Sequence, residues 1–345
     1  MAYISFQPKD FFNTKLYAGN NTADTAISGV GFQPDLVWLK NRDNGTGAHA
    51  LFDVVRGVSK RLKSDEKDPE TTASGVSSFD SDGFTLGTSW NQAAKNFVSW
   101  NWKAGTTSGI SAGSQTVTPS AYSINTTAGF GIYAYEGDNT PSGPKTISHG
   151  LGQKPSFMLV KRRNTDKDWA VYHSSIGATK YLELNNDNAA ATSNAIWGDT
   201  EPTSSVFTVG PNSQTLGNPG DTSIAYVFCE KVGYSKFGKY VGNGNVDGVF
   251  NYTGFRPAWL LLKKTSNTES WIMHDNKRDP HNEVNRYLLA DTDIAEVNSS
   301  VAVDFVSNGF KFRTSSQNVS GDTYVYMAFA EFPLVASNNI PGVAR

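Results

Sequence analysis

The sequence predicts an all-β chain of three tandem antiparallel β-sandwich domains, and three observations lead there. The chain holds 345 residues with 32 Gly, 14 Pro and 12% aromatics, and it is rich in Asn, Ser and Thr. That mix suits short strands joined by polar turns and suits long helices poorly. The aromatic content also lets the chain bury enough apolar surface to offset its ordering entropy, which argues against disorder. The third observation decides the architecture: one pattern of residues recurs three times.

The pattern is clearest at Gly31-Phe32-Gln33-Pro34-Asp35-Leu36-Val37-Trp38-Leu39-Lys40. It returns as Gly152-Gln153-Lys154-Pro155-Ser156-Phe157-Met158-Leu159-Val160-Lys161 and as Gly254-Phe255-Arg256-Pro257-Ala258-Trp259-Leu260-Leu261-Leu262-Lys263. Proline stands where a strand begins, because a ladder donor is not needed there. The unbroken apolar run that follows implies a strand covered on both faces.

The flanks recur in the same order. Upstream lie Leu16-Tyr17-Ala18-Gly19-Asn20, Tyr133-Ala134-Tyr135-Glu136-Gly137-Asp138 and Lys239-Tyr240-Val241-Gly242-Asn243, each a short strand ending in a turn. Downstream, His49-Ala50-Leu51-Phe52-Asp53 matches Trp169-Ala170-Val171-Tyr172-His173 and Trp271-Ile272-Met273-His274-Asp275. Arg61-Leu62, Tyr181-Leu182 and Tyr287-Leu288 follow, then Gly83-Phe84, Val206-Phe207 and Gly309-Phe310. Each copy closes on an aromatic strand: Phe97 to Trp102, Ala225 to Phe228, and Tyr324 to Phe329.

A unit of this length, with this many strands, is the size of a self-contained sandwich, so a two-sheet jelly-roll or lectin-like fold is expected for each copy. The expected boundaries are 1–105 for the first sandwich, 106–122 for a Gly/Ser/Thr linker, 123–233 and 234–335 for the second and third, and 336–345 for a tail. The linker makes the first copy the more independent one, with the second and third abutting as a rigid pair. The tail is expected to lie against a neighbouring subunit.

Charge narrows the function. Thirty basic and 32 acidic residues give a net charge of −2, and they are dispersed. No phosphate-tracking surface results, so nucleic acid is not an expected partner. The densest run, Lys60 to Asp68, mixes signs as a solvated loop or strand edge does. The N-terminus carries no signal-peptide pattern and no run of eighteen apolar residues occurs, so neither secretion nor membrane insertion is expected. A single cysteine, Cys229, lies in an apolar strand and is expected to be buried and inert.

Searches for reaction chemistry find little. P-loop, paired-cysteine, zincin and nucleophile-elbow motifs do not occur. The histidines His49, His149, His173, His274 and His281 do not share one repeat column, as a repeated catalytic residue would. Asp80-Ser81-Asp82-Gly83 resembles the start of a calcium loop, but its counterpart Ser307-Asn308-Gly309 lacks carboxylates, and a hairpin turn explains both. A glycosidase needs two facing carboxylates, and nothing pairs the candidates Asp275, Asp279 and Glu283. No cofactor, metal or catalytic residue is therefore assigned. Sugar contact needs only an exposed aromatic platform near polar groups. Trp38, Trp259, Trp271 and at least one of Trp100 and Trp102 read as core, whereas Trp90 and Trp197 stand among loop residues and are the candidate glycan contacts.

One resemblance adds to this. The first copy carries Phe11-Phe12-Asn13-Thr14-Lys15-Leu16-Tyr17, the Gly31 to Asp43 segment, Leu51-Phe52-Asp53-Val54-Val55-Arg56-Gly57, Phe79-Asp80-Ser81-Asp82-Gly83-Phe84-Thr85-Leu86-Gly87 and Trp100-Asn101-Trp102-Lys103-Ala104-Gly105. It resembles a repeat domain of virion proteins of marine and cyanobacterial tailed bacteriophages, tail-fibre-like and similar to concanavalin-type lectin sandwiches. The resemblance is weaker over the other two copies, which lack Leu-Phe-Asp and Trp-Asn-Trp. It implies a non-enzymatic structural protein of the virion, a tail-associated adhesion subunit in contact with host glycan. Its partners would be other virion proteins, further copies of the chain and host-surface polysaccharide. The alternatives are a capsid decoration protein and, third, a polysaccharide-degrading enzyme.

Overall fold

The computed structural model describes residues 6–43, 45, 47–110, 116–139 and 142–333; the expected tail and the middle of the expected linker lie outside them. The protein is all-β, and its strand-to-strand ladders are antiparallel. Each repeat builds the same main sheet. In the first the order is Phe12–Ala18, Asn96–Trp102, Leu36–Asn41 and Ala50–Asp53. In the second, Phe130–Glu136, Thr222–Phe228, Phe157–Arg162 and Ala170–His173 take the same places, with further strands added at both edges. In the third, Ser235–Val241, Thr323–Pro333, Phe255–Lys264 and Ile272–Asp275 continue through four more strands into a nearly closed, barrel-like sheet of eight.

The strand after each Gly-x-x-Pro turn explains why the sheets assemble. Successive side chains on a strand point to opposite faces. Val37 and Leu39 enter a core private to the first repeat, whereas Leu36 and Trp38 enter a second core on the other face. Met158 and Val160 divide from Phe157 and Leu159 in the same way, as do Leu260 and Leu262 from Trp259 and Leu261. The second core is common to all three repeats. At its centre Trp102, Phe228 and Phe329, which hold matching places, meet at ring separations of 6.3, 6.0 and 5.8 Å.

Each copy has the core of its own that was expected, but the common core is additional, and it removes the greater independence expected of the first copy. An apolar face on each main sheet needs a cover, and the other two sheets supply it. The first repeat is as deeply engaged as the others. Of the described part of the 106–122 segment, Thr106 bridges Ile124 and Val117 is buried beside Ile147.

The outer cores are closed by short strands. Thr25–Ser28, Gly83–Leu86 and Val76–Asp80 form one sheet over the first repeat, and Lys145–Ser148 pairs with Val206–Val209 over the second. The Asp80–Gly83 segment is a hairpin turn, in which Asp82 accepts the backbone N–H groups of Gly29 and Gly31. Cys229 is buried, its thiol pushed up to about 12 by that burial.

Candidate functional site

One set of buried polar contacts lies where each repeat meets the next, and it follows a rule. The lysines that recur after each Gly-x-x-Pro segment, Lys40, Lys161 and Lys263, are all buried and donate to carbonyls of another repeat: Asp293 at 2.7 Å, Lys67 at 2.9 Å and Asp187 at 3.1 Å. Burial brings all three down to about 8. The ring N–H groups of His49, Trp169 and Trp271 donate to the carbonyls of Leu289, Lys63 and Glu183. Backbone N–H groups of Glu296, Glu70 and Ala190 donate to Arg42, Arg163 and Thr265. In every set the first repeat joins the third, the second joins the first, and the third joins the second. The contacts therefore close a ring.

The mixed-charge run Lys60 to Asp68, expected as a solvated loop or strand edge, begins on the short strand Lys60–Arg61 and then forms part of this seam. Its backbone must follow the second repeat to present the Lys63 and Lys67 carbonyls. Paired side chains reinforce two seams. Arg163 grips Glu70 through two bonds of 3.0 Å, and Arg42 grips Glu296 at 2.9 and 2.8 Å.

Deeper in, Asp53 accepts Arg56 Nε at 2.5 Å and the Tyr226 hydroxyl of the second repeat at 2.6 Å. Asp275 repeats this with Arg278 Nε at 2.6 Å and Trp100 Nε1 of the first repeat at 3.1 Å. Burial alone would raise the Asp275 carboxyl, but the Arg278 charge prevails and holds it below the usual carboxylate range. The third seam has Met327 in the place of Tyr226 and Trp100, so no donor reaches across. There the aspartate is replaced by His173 and the arginine by Ile176, and a neutral imidazole donates to the Tyr326 carbonyl at 3.1 Å. The acid thus stands only where the next repeat offers a donor.

These contacts place the residues that sequence reasoning left open. Asp275 is consumed in the seam, and Asp279 accepts the backbone N–H groups of Asn285 and Arg286. His149 is closed off by Leu151 and Thr203, while His281 is exposed. Trp90 and Trp197, the candidate glycan contacts, are 8% and 0% exposed. Trp90 packs edge-on against Phe52 and donates to the Ala48 carbonyl; Trp197 packs edge-on against Tyr172. Neither presents a face to solvent. Among the described residues no group of three His, Cys, Asp or Glu gathers as a metal site would require.

An exposed aromatic pair does occur elsewhere. Phe250 and Tyr252 lie on the strand Phe250–Tyr252, which ends the eight-stranded sheet of the third repeat, and they are 45% and 59% exposed. Register makes the comparison with the other repeats exact in position: Asn251 faces Phe310, as Ile27 faces Phe84 and Ile147 faces Phe207. The flanking places hold the exposed Ala26 and Ser28 in the first repeat, and the half-buried Thr146 and buried Ser148 in the second, none of them aromatic. Only in the third is the strand inverted, with aromatics outside and a polar residue inside. Beside Phe250, Lys311 meets Asp247 at 2.6 Å, and Arg313 meets Asp304 at 2.5 Å. A cleft of about 410 Å³ follows, lined by Val246, Arg313, Asn285, Glu283 and Ser316. Sequence reasoning passed over this face because it sought tryptophan in loops; the Phe-Asn-Tyr alternation was the available signal.

A family model described as Domain of unknown function (DUF7483) matches residues 7–333. No curated protein and no solved structure matches the chain.

Proposed function

The chain belongs to the DUF7483 family, and we propose that it is a non-enzymatic structural protein of a tailed-bacteriophage particle, a tail-associated adhesion subunit that touches host-surface glycan. The observation that carries this reading is the ring itself. Its buried lysines, acid–arginine pairs and imidazoles are spent on holding three repeats together, which is the chemistry of a rigid module. The phage setting rests on the sequence resemblance of the first repeat. Each repeat is read as a jelly-roll or lectin-like sandwich, a main sheet under an outer one with its own core between them. Contact would be made by the outer face of the third repeat, where the strand pattern departs from its two siblings.

Imaging of intact particles with a label on this chain is the test. Signal at the tail is the expected outcome. Signal over the head shell would replace the adhesin reading with capsid decoration, and particles lacking the chain would end both.

A further inference from the structure

We propose that the outer face of the third repeat is a binding site for a neutral oligosaccharide, seated on Phe250 and Tyr252 and reaching into the cleft beside them. This rests on the contact role proposed above and names its ligand. The other two repeats build the same strand without aromatics at these places. The same strand places in the other repeats are Ala26 and Ser28, and Thr146 and Ser148, and both of those repeats close their outer cores with Ile27 or Ile147 between them. The third repeat has Asn251 at that inward place and exposes the rings instead. Two neighbouring exposed rings on one strand make a contiguous apolar patch, which is the feature that marks a contact surface.

Charge selects the ligand. The cations of this face are already neutralised, Lys311 by Asp247 and Arg313 by Asp304. No free positive field remains to attract sulfate, uronate or sialate groups. What the face offers is an apolar platform next to fixed donors and acceptors. Phe250 and Tyr252 are two residues apart on one side of a strand, so the rings stand about 7 Å apart along it. Carbon-bound hydrogens on one side of a pyranose ring stack on such rings. Its hydroxyls meet Asp247, which is the bridge from the platform to the cleft: it pairs with Lys311 opposite Phe250 and lies 3.9 Å from Arg313. Asn285 and Ser316 line the cleft beyond. Its volume of about 410 Å³ is within the range of small-ligand sites. A protein partner is less well matched, because a stable protein interface needs about 800 Å² from each side and an apolar centre. Here two rings and Val246 adjoin a polar cleft.

The test uses the full chain on an array of neutral and acidic oligosaccharides, with Phe250→Ala/Tyr252→Ala as its companion. Both side chains are exposed, so the variant should keep the parent's melting temperature. Expected is retention on neutral glycans that survives 0.5 M-scale salt (roughly a 4 Å screening length) and falls about tenfold or more in the variant. Undiminished binding by the variant, binding confined to acidic glycans, or no binding to any glycan would each overturn the assignment. None of these would move the chain from its place on the particle, so a failure here stays separate from a failure of the structural role.

Discussion

Tyr226 shows how much one side chain does in the seams. Its hydroxyl donates to Asp53 and accepts from Arg56, across a boundary where all three groups are buried. Tyr226→Phe leaves the carboxylate short of a partner, and a loss of about 1–3 kcal/mol is expected in urea unfolding. Met327→Leu, at the matching place of the third seam, should cost less than about 1.5 kcal/mol, since no hydrogen bond is removed there. His173 adds a pH dependence. Burial lowers its imidazole from 6.5 to about 4. Above pH 6.5 it is neutral folded and unfolded, and it contributes no slope. Between 6.5 and about 4 the unfolded chain takes the proton first, so stability falls with falling pH, by up to about 3 kcal/mol from this group. His274, lowered to about 3, acts in the same direction. Urea midpoints measured from pH 7 to pH 4 should decline, and His173→Asn should flatten part of that decline; an unchanged slope would remove His173 as its source.

At the scale of elements, the three strands that lead into Gly19, Gly137 and Gly242 share one constraint. A Cβ at any of them would overlap a carbonyl oxygen of the loop passing over it, that of Gln92, Asn218 or Val319. The requirement is close approach of backbone to backbone, which only glycine permits. Gly19→Ala or Gly242→Ala should therefore cost about 2–4 kcal/mol, read by thermal or denaturant melts, whereas Gly105→Ala meets no atom within 4 Å. Gly105 has a φ of +110°, so its own penalty is one of backbone strain alone. The recurrence of Gly19, Gly137 and Gly242 was legible in the sequence as a turn signal. The outer strand of the third repeat was harder to read. Whether Phe250 and Tyr252 face outward depends on Asn251 pairing with Phe310, and a shift of one residue would exchange the faces. Trp90 and Trp197 misled in the other direction, because a loop address says nothing about which way the ring turns.

For the whole molecule, the shared core predicts one unfolding event. Removing any repeat exposes the inner faces of the other two, including the Trp102, Phe228 and Phe329 cluster. Calorimetry should give a single transition whose van't Hoff and calorimetric enthalpies agree. Two or three resolved transitions would mean that the repeats fold separately and that the seams are weak. Phe329→Ala, in the third repeat, should lower that one transition as a unit, at a cost of about 3–5 kcal/mol. A stepwise melt in this variant would contradict the common core.

By itself the sequence determined that the chain is all-β, that one strand pattern occurs three times, and that the strand after each Gly-x-x-Pro is covered on both sides. Those are local properties: propensity, turn chemistry and a period of two are written in neighbouring residues. Only the tertiary structure decided what covers the second side. A run such as Leu36-Val37-Trp38-Leu39 states that both faces are apolar, but the partner of Trp38 lies in no nearby segment. It is set by three sheets turning their inner faces to one another, with Lys40 reaching Asp293 across more than two hundred residues of chain. Loop closure over such distances leaves little local trace, because the two halves of each contact are ordinary residues until the ring brings them together.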